Sequence, residues 1–185
     1  MQRDRRIRCL LIGAVVFMTA LVILFVEKPK LLLYNHTPSV PVGWYVYAGR
    51  EPQRGDLISF PLPPAAHAYA LSRGESTGFR LLKPVIAVAG DHVRTLNGEF
   101  RVNGVSFGPI PVTDVAGRVL PRWQANRVLT DDELLVGSTV EHSFDSRFFG
   151  PVHANDVLGV YQPLVVDSTA RTSVKSTPHS QTDAP

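Results

Sequence analysis

One cysteine, Cys9, in 185 residues excludes an internal disulfide and any cysteine-bound metal site, so stability has to come from packing. Histidine is present without pairing. Of His36, His67, His92, His142, His153 and His179, no two stand at a ligand spacing such as i, i+4, and no metal site is expected. The body of the chain also lacks excess positive charge. Arg3, Arg5, Arg6 and Arg8 against Asp4 supply the whole formal charge of +3, leaving fifteen basic and fifteen acidic side chains after residue 8. A nucleic-acid partner, which needs a basic patch on the folded domain, is therefore not expected. Beyond the first thirty residues no stretch has a convincing helical period.

What is present begins with an apolar run. Cys9 to Val26 is eighteen residues without a charge, about 27 Å of helix and close to the thickness of a hydrocarbon core. The alternative is a cleaved signal peptide. The run is longer than a typical h-region, however, and Val26-Glu27-Lys28-Pro29-Lys30 is no small-x-small cleavage site. The reading is a basic cytoplasmic N-terminus over 1–8 and a transmembrane anchor over 9–26, oriented by the arginines. Residues 27–166 then form a β domain outside the membrane, in the periplasm if the cell is a bacterium, and the polar stretch 167–185 is a disordered tail. With 44% hydrophobic residues one core of ordinary size is affordable.

Trp44 to Tyr47, Asp56 to Phe60, Phe79 to Val88, His92 to Leu96, Phe100 to Val102, Leu134 to Val136 and Val157 to Val160 are rich in β-branched and aromatic residues and read as strands. Asn97-Gly98 and Asn103-Gly104 predict two tight turns around a short strand. The fold class is mainly β, an antiparallel, barrel-like domain behind one N-terminal transmembrane helix. Pro61 to Gly78 reads as a long surface loop, and Val112 to Arg127 as an irregular connection with one candidate for burial, Trp123.

Two residues stand out chemically. Ser39, bracketed by Pro38 and Pro41, sits on a stiff extended loop. Thirteen residues separate it from Val26, which keeps it within roughly 45 Å of the membrane. Alone it reads equally as a turn serine. Lys83 lies in Leu81-Leu82-Lys83-Pro84-Val85-Ile86-Ala87-Val88, where strand alternation buries it or holds it at the rim of the core. Burial disfavours the ammonium. A fall from about 10.4 to near 7 would represent roughly 4 to 5 kcal/mol, and such an amine can take a proton from a serine. A lysine that snorkels to water is the bland alternative. His36 and His142 are weaker candidates for a base, because closeness in sequence to Ser39 or Asp145 does not put an imidazole on the hydroxyl.

Three blocks carry a resemblance: Asn35-His36-Thr37-Pro38-Ser39-Val40-Pro41-Val42-Gly43, then Lys83 followed by Gly90-Asp91, then Ser143-Phe144-Asp145-Ser146-Arg147-Phe148-Phe149-Gly150-Pro151. Together with Arg54-Gly55-Asp56 they resemble the serine-lysine signal peptidases, and more narrowly the TraF-type conjugative transfer peptidases that process pilin precursors. Where the broader family often has Gly-Asp-Asn-Arg-Asp, this chain has Gly137-Ser138-Thr139-Val140-Glu141. That favours the conjugative branch over a general leader peptidase.

The resemblance implies a catalytic dyad of Ser39 as nucleophile and Lys83 as base. It implies an oxyanion hole of the Ser39 backbone N–H and the Thr37 hydroxyl, with Ser143 orienting the lysine and Asp145 and Arg147 as a supporting ion pair. No cofactor is needed. The implied substrate is an exported pilin precursor, and the acyl-enzyme is resolved either by water or by cyclisation; an extended substrate is expected to add a strand beside Phe79 to Leu82. The implied location is the bacterial inner membrane, single-pass, with the catalytic domain in the periplasm, where other conjugative transfer proteins are candidate partners. A general type I leader peptidase and a catalytically silent, membrane-anchored binding module of a secretion system remain the alternatives.

Overall fold

The computed structural model describes residues 12–18, 30–138, 140 and 143–167. Residues 12–18 are helical and exposed, and among the described residues no helix is long and apolar enough to cross a membrane. The segment 1–8, most of the run 9–26 and residues 168–185 of the polar tail lie outside the described residues.

Among the described residues eleven strands form two antiparallel sheets. The larger has seven strands in the order β1 (Leu32–Asn35), β2 (Gly43–Tyr47), β11 (Gly159–Val166), β3 (Leu57–Pro61), β4 (Arg80–Ala87), β9 (Glu133–Val136) and β10 (Val152–His153). The smaller runs β7 (Val105–Pro109), β6 (Glu99–Val102), β5 (His92–Leu96) and β8 (Asn126–Val128). The sheets do not close into a barrel, which corrects the barrel-like expectation: β1 and the two-residue β10 end the larger sheet without pairing to each other, and the smaller sheet packs against it. One apolar cluster joins Val93, Phe100 and Val102 of the smaller sheet to Ala87 and Leu135 of the larger. A second is built from Ile58, Phe60, Val85, Val136 and Val160.

The hairpin ribbon follows from its turns. Asn97 and Gly98 join β5 to β6, and Asn103 and Gly104 join β6 to β7, all four at positive φ between 49° and 81°. Asn and Gly tolerate that region best, and its twist matches the flanking strands. Pro61 to Gly78 is more ordered than a surface loop. It holds a 3-10 turn, Pro64–Ala66, and a short helix, His67–Ser72, that buries Tyr69 and Ala70. Six residues are too few to print a helical period on the sequence. In Val112 to Arg127 the Asp114 side chain accepts from the N–H groups of Ala116 and Arg118 and closes a turn, beside the bridge Thr113 to Val119. Trp123 is half-buried near Phe100.

Strand β4 changes its environment along its length. All of Arg80 to Pro84 pairs with β3, whereas β9 pairs only with Val85 and Ala87 on the other side. The backbone of Val85 bonds toward the β3 side, through Asp56 and Gly55, and Phe79 accepts from Leu62 there. By alternation the N–H and C=O of Leu82 face the opposite edge, where no described strand pairs with them. The Arg54-Gly55-Asp56 and Gly90-Asp91 segments brace the far end of β4. Arg54 forms an ion pair with Asp91 and donates to the Ile86 carbonyl at 2.6 Å. Burial pushes the Asp91 carboxyl up, but hydrogen bonds from the Val88 N–H, Asn103 and Arg54 outweigh it and hold the pKa below the usual range.

Gly43 is required by close approach. A Cβ there would stand 2.3 Å from the Val165 carbonyl oxygen of β11, and its φ is +147°. Gly43→Ala is expected to force β2 from β11 and lower stability by about 2 to 4 kcal/mol. Urea unfolding of the solubilised full chain measures it.

Candidate active site

The loop from Asn35 to Gly43 is held by side chains on the strands that flank it. Asn35, buried at the end of β1, donates from Nδ2 to the carbonyls of Thr37 at 2.7 Å, Val40 at 3.1 Å and Pro41 at 3.2 Å. Its Oδ1 accepts from the Thr37 N–H at 3.3 Å and hydroxyl at 2.8 Å. Tyr45 of β2, fully buried, donates to the Pro41 carbonyl at 2.6 Å. Proline has no N–H to contribute, so a loop rich in it depends on side chains for its satisfaction. The outcome is a rigid shelf that presents Ser39 half-buried, its hydroxyl 3.4 Å from that of Thr37.

Lys83 lies across the same cleft, which has a volume of about 1060 Å³ and is lined by Thr37, Ser39, Lys83 and Ser143 among others. The lysine is only 4% exposed, and its Nζ donates to the Ser143 hydroxyl at 3.0 Å. Burial pushes its pKa down to about 8; Asp145 pulls it back upward and Arg147 pushes it further down. The shift is in the expected direction and smaller than a fall to 7. Among the described residues no hydrogen bond joins Lys83 to Ser39, whose hydroxyl lies within reach of Thr37 instead.

The third block forms the wall behind the lysine. Asp145, fully buried, accepts from Arg147 Nε at 2.8 Å and Nη2 at 2.9 Å, and from the N–H groups of Arg147 at 3.2 Å and Ser138 at 3.3 Å. Arg147 also donates to the Ser143 carbonyl at 3.2 Å and to the Phe107 carbonyl of β7 at 3.4 Å, tying the wall to the second sheet. Ser138 closes the circuit by donating to the Ser39 carbonyl at 2.9 Å. The structure thus brings Ser39 and Thr37 to one side of the cleft, and Lys83 and Ser143 to the other, with Asp145 and Arg147 behind. His36 is exposed, and His142 lies outside the described residues.

Three participants escape the sequence reading. Asn35 belongs to the first block, but only its hydrogen bonds reveal it as the clamp of the loop. Ser138 stands in the segment that departs from the broader pattern. Ser146 accepts from the Val136 N–H at 2.9 Å and docks the short helix Ser146–Phe149 onto β9. Nothing in residue type or spacing distinguishes these from ordinary turn serines and asparagines. Among the described residues no group of three or more His, Cys, Asp or Glu side chains is placed to hold a metal.

The Lys83 shift makes a stability claim with a definite sign. Below pH 8 the folded and unfolded chains both carry the proton, and folding bears the full cost of burying it. Between pH 8 and 10.5 only the unfolded chain keeps the proton, so stability rises with pH across that window. A shift of this size corresponds to roughly 3 kcal/mol. Lys83→Met, which keeps the volume but loses the bond to Ser143, is expected to stabilise the protein by about 1 to 2 kcal/mol at pH 7. The advantage should vanish near pH 10.5. Urea unfolding of both proteins at several pH values checks it, and an equal gain at every pH would contradict the buried-charge account.

Comparison with known proteins places the chain in a family. A family profile described as signal peptidase, peptidase S26, matches residues 5–165. The plasmid transfer protein TraF of Escherichia coli is 31% identical over 144 residues, 71% of this chain and 81% of that protein. The conjugal transfer protein TraF of Agrobacterium tumefaciens (strain 15955) is 32% identical over 175 residues, 88% of this chain and 97% of that protein. A signal peptidase I of Leptolyngbya laminosa is 27% identical over 113 residues, covering 61% of this chain and 52% of that protein.

Proposed function

The chain belongs to the signal peptidase family, peptidase S26, and on that premise we propose that it is a membrane-anchored serine endopeptidase that processes an exported pilin precursor for conjugative transfer. The observation that carries the reading is Lys83. Its amine is buried, has a pKa near 8, is held by Ser143 and opens onto the cleft that Ser39 lines. At pH 7 about a tenth of such an amine is neutral, against well under a thousandth for an ordinary lysine.

In the proposed reaction neutral Lys83 removes the Ser39 hydroxyl proton as Oγ attacks the scissile carbonyl, after the serine side chain turns from Thr37 toward the lysine. The tetrahedral oxyanion is received by the Ser39 N–H and the Thr37 hydroxyl. Thr37 has to release Asn35 Oδ1, to which its hydroxyl donates in the resting site. The C–N bond then breaks, and the Lys83 ammonium returns its proton to the leaving amine. Water resolves the ester to a linear product, or the substrate's own amino terminus resolves it to a cyclic one. A cyclic pilin is one water lighter than the cut linear form, so mass spectrometry separates the two.

The free edge of β4 at Leu82 supports substrate binding by strand addition, since its N–H and C=O face away from β3 along the cleft. The anchor over 9–26 and a catalytic domain over 27–166 facing the periplasm are part of the proposal. Support comes from the exposed Tyr34, Trp44 and Val165, neighbours on one face of β1, β2 and β11, of which Tyr34 follows the exposed Leu31 by three residues. Tyr and Trp favour the headgroup region of a bilayer. The names of the TraF relatives support a conjugative substrate. A general leader peptidase is the second reading, favoured by the match to a signal peptidase I. Complementation of a strain depleted of its own leader peptidase distinguishes it.

Wild type is expected to cut a co-expressed pilin precursor, whereas Ser39→Ala and Lys83→Ala accumulate in membranes and leave it uncut, with activity at least about 10³-fold lower. A well-folded variant that still cuts at the wild-type rate would point to a binding module instead. With purified enzyme, kcat/KM is expected to rise about tenfold per pH unit below pH 8 and to level off above it, as Lys83 loses its proton. A plateau already reached at pH 6 would exclude Lys83 as the base.

A further inference from the structure

Two segments that take no part in the proposed chemistry meet at one side chain of the cleft. Tyr69 belongs to the helix His67–Ser72, within Pro61 to Gly78, and its hydroxyl donates at 3.0 Å to Oδ2 of Asp114, within Val112 to Arg127. The helix has six residues and no side-chain cap, and a helix so short is not stable alone. Its place in the cleft wall therefore rests on its two buried residues, Tyr69 and Ala70, both of which line the cleft. At the hydroxyl end of Tyr69 the Asp114 carboxylate is itself fixed. It accepts from the N–H groups of Ala116 and Arg118, each at 2.9 Å, and from Arg118 Nε at 2.8 Å. The Tyr69 ring packs on Phe144 with centroids 4.8 Å apart, and the Arg73 guanidinium lies 5.7 Å from the Tyr69 ring centre.

Phe144 follows Ser143, the residue that accepts from Lys83. It also meets Phe148 and Phe149 of the helix Ser146–Phe149, so Tyr69 is the member of this aromatic group contributed from outside the third block. Adjacent residues share a rigid peptide plane, and the setting of the Phe144 ring therefore constrains the direction of the Ser143 hydroxyl. On the peptidase reading above, we infer that Tyr69 is a positioning residue: locked by Asp114, its ring holds Phe144, which keeps Ser143 on Lys83 and water away from the amine. A phenylalanine at 69 would pack the same ring, and what the hydroxyl adds is a bond to a carboxylate, one of the stronger kinds. The joint keeps its own protons where the lysine titrates. Burial pushes the Asp114 carboxyl up, but hydrogen bonds from Arg118, Tyr69 and Ala116 outweigh it and hold its pKa at about 2. Burial pushes the Tyr69 hydroxyl above its ordinary value. The charged groups around the ring are Asp114, Arg118 and Arg73, and those acting on Lys83 are Asp145 and Arg147. Burial is the largest cause of the low Lys83 pKa, so water let past Phe144 moves that pKa up, and the same water replaces the bond to Ser143.

The test titrates Lys83 directly by NMR, in the full chain in detergent micelles with its lysines isotopically labelled at Cε. The chain has four lysines, and Lys83→Met identifies the signal of Lys83. In Tyr69→Phe and in Asp114→Ala the midpoint is expected about half a pH unit above that of wild type, and in the double variant no higher than in either single one. Tyr69→Leu, which removes the ring as well, is expected about one pH unit higher. Urea unfolding shows which variants are folded, and the first two keep the test decisive if Tyr69→Leu is not. Wild-type midpoints in Tyr69→Phe and Asp114→Ala overturn the inference and leave Tyr69 an ordinary core residue. Shifts that simply add in the double variant overturn it too, since the two groups would then act independently. Cleavage of the pilin precursor by the same variants keeps the two readings apart. With both correct, kcat/KM in Tyr69→Phe falls about threefold at pH 7 and returns to the wild-type value near pH 10. Cleavage with an unmoved Lys83 midpoint sinks the positioning role and leaves the peptidase, whereas a moved midpoint in a chain that cuts nothing leaves the positioning role and sinks the peptidase.

Discussion

Everything in the cleft depends on keeping one amine out of water without neutralising it too well. A lysine beside an unopposed carboxylate would hold its proton far above neutral pH, and a lysine in hydrocarbon alone would lose it too readily. Lys83 lies between these limits because Asp145, the nearest compensating charge, is already engaged by Arg147 through two N–H groups. Asp145 still pulls the amine's pKa upward, and burial together with the Arg147 guanidinium outweighs that pull. Ser143 completes the arrangement with a neutral partner that accepts from the amine and adds no charge. The ion pair is thus useful by being balanced, and losing either member would leave the other buried and unpaired at a cost of about 3 to 5 kcal/mol.

The same economy governs how the two sides of the cleft meet. Ser39 and Lys83 belong to elements that share no strand pairing: the serine loop hangs between β1 and β2, the lysine stands on β4. Their common reference is the segment after β9. Ser138 donates to the Ser39 carbonyl and gives its N–H to Asp145, so the Ser39 loop and the lysine's electrostatic surroundings are fixed to one short stretch of backbone. Arg147 extends that frame to β7 through the Phe107 carbonyl. The second sheet then acts as a buttress for the site, although none of its strands contributes a group to the proposed chemistry.

Some of this was readable in the residues and some was not, for physical reasons. The β5–β6–β7 ribbon was legible because Asn-Gly at each turn encodes positive φ locally. Lys83 was legible because an apolar strand leaves a charged side chain few places to go. The helix His67–Ser72 was not, since fewer than two turns give no period. The Asn35 clamp and the Lys83–Ser143 bond were not legible from spacing either. The first is made to carbonyls whose positions depend on a proline-shaped loop, and the second joins residues sixty apart in sequence. Ser59 is the sharpest case. Alternation assigns it to a buried face, but only the packed structure shows that nothing there answers its hydroxyl.

Where β9 stops is what connects these features. Pairing with β9 ends at Val85, one further bond runs from the Gly137 N–H to the Pro84 carbonyl at 3.0 Å, and the missing N–H of that proline would have faced the same edge. On the N-terminal side of that point β4 keeps β3 as a partner and exposes Leu82's donor and acceptor to the cleft. On the C-terminal side it is closed on both edges and braced by the Arg54–Asp91 pair. Lys83 stands at this boundary, buried by the closed half and beside the open one. A lysine one turn of the pleat further in would be sealed from any substrate, and one further out would be solvated and fully charged. The early end of β9 thus sets both the burial of the amine and its access to the cleft along β4.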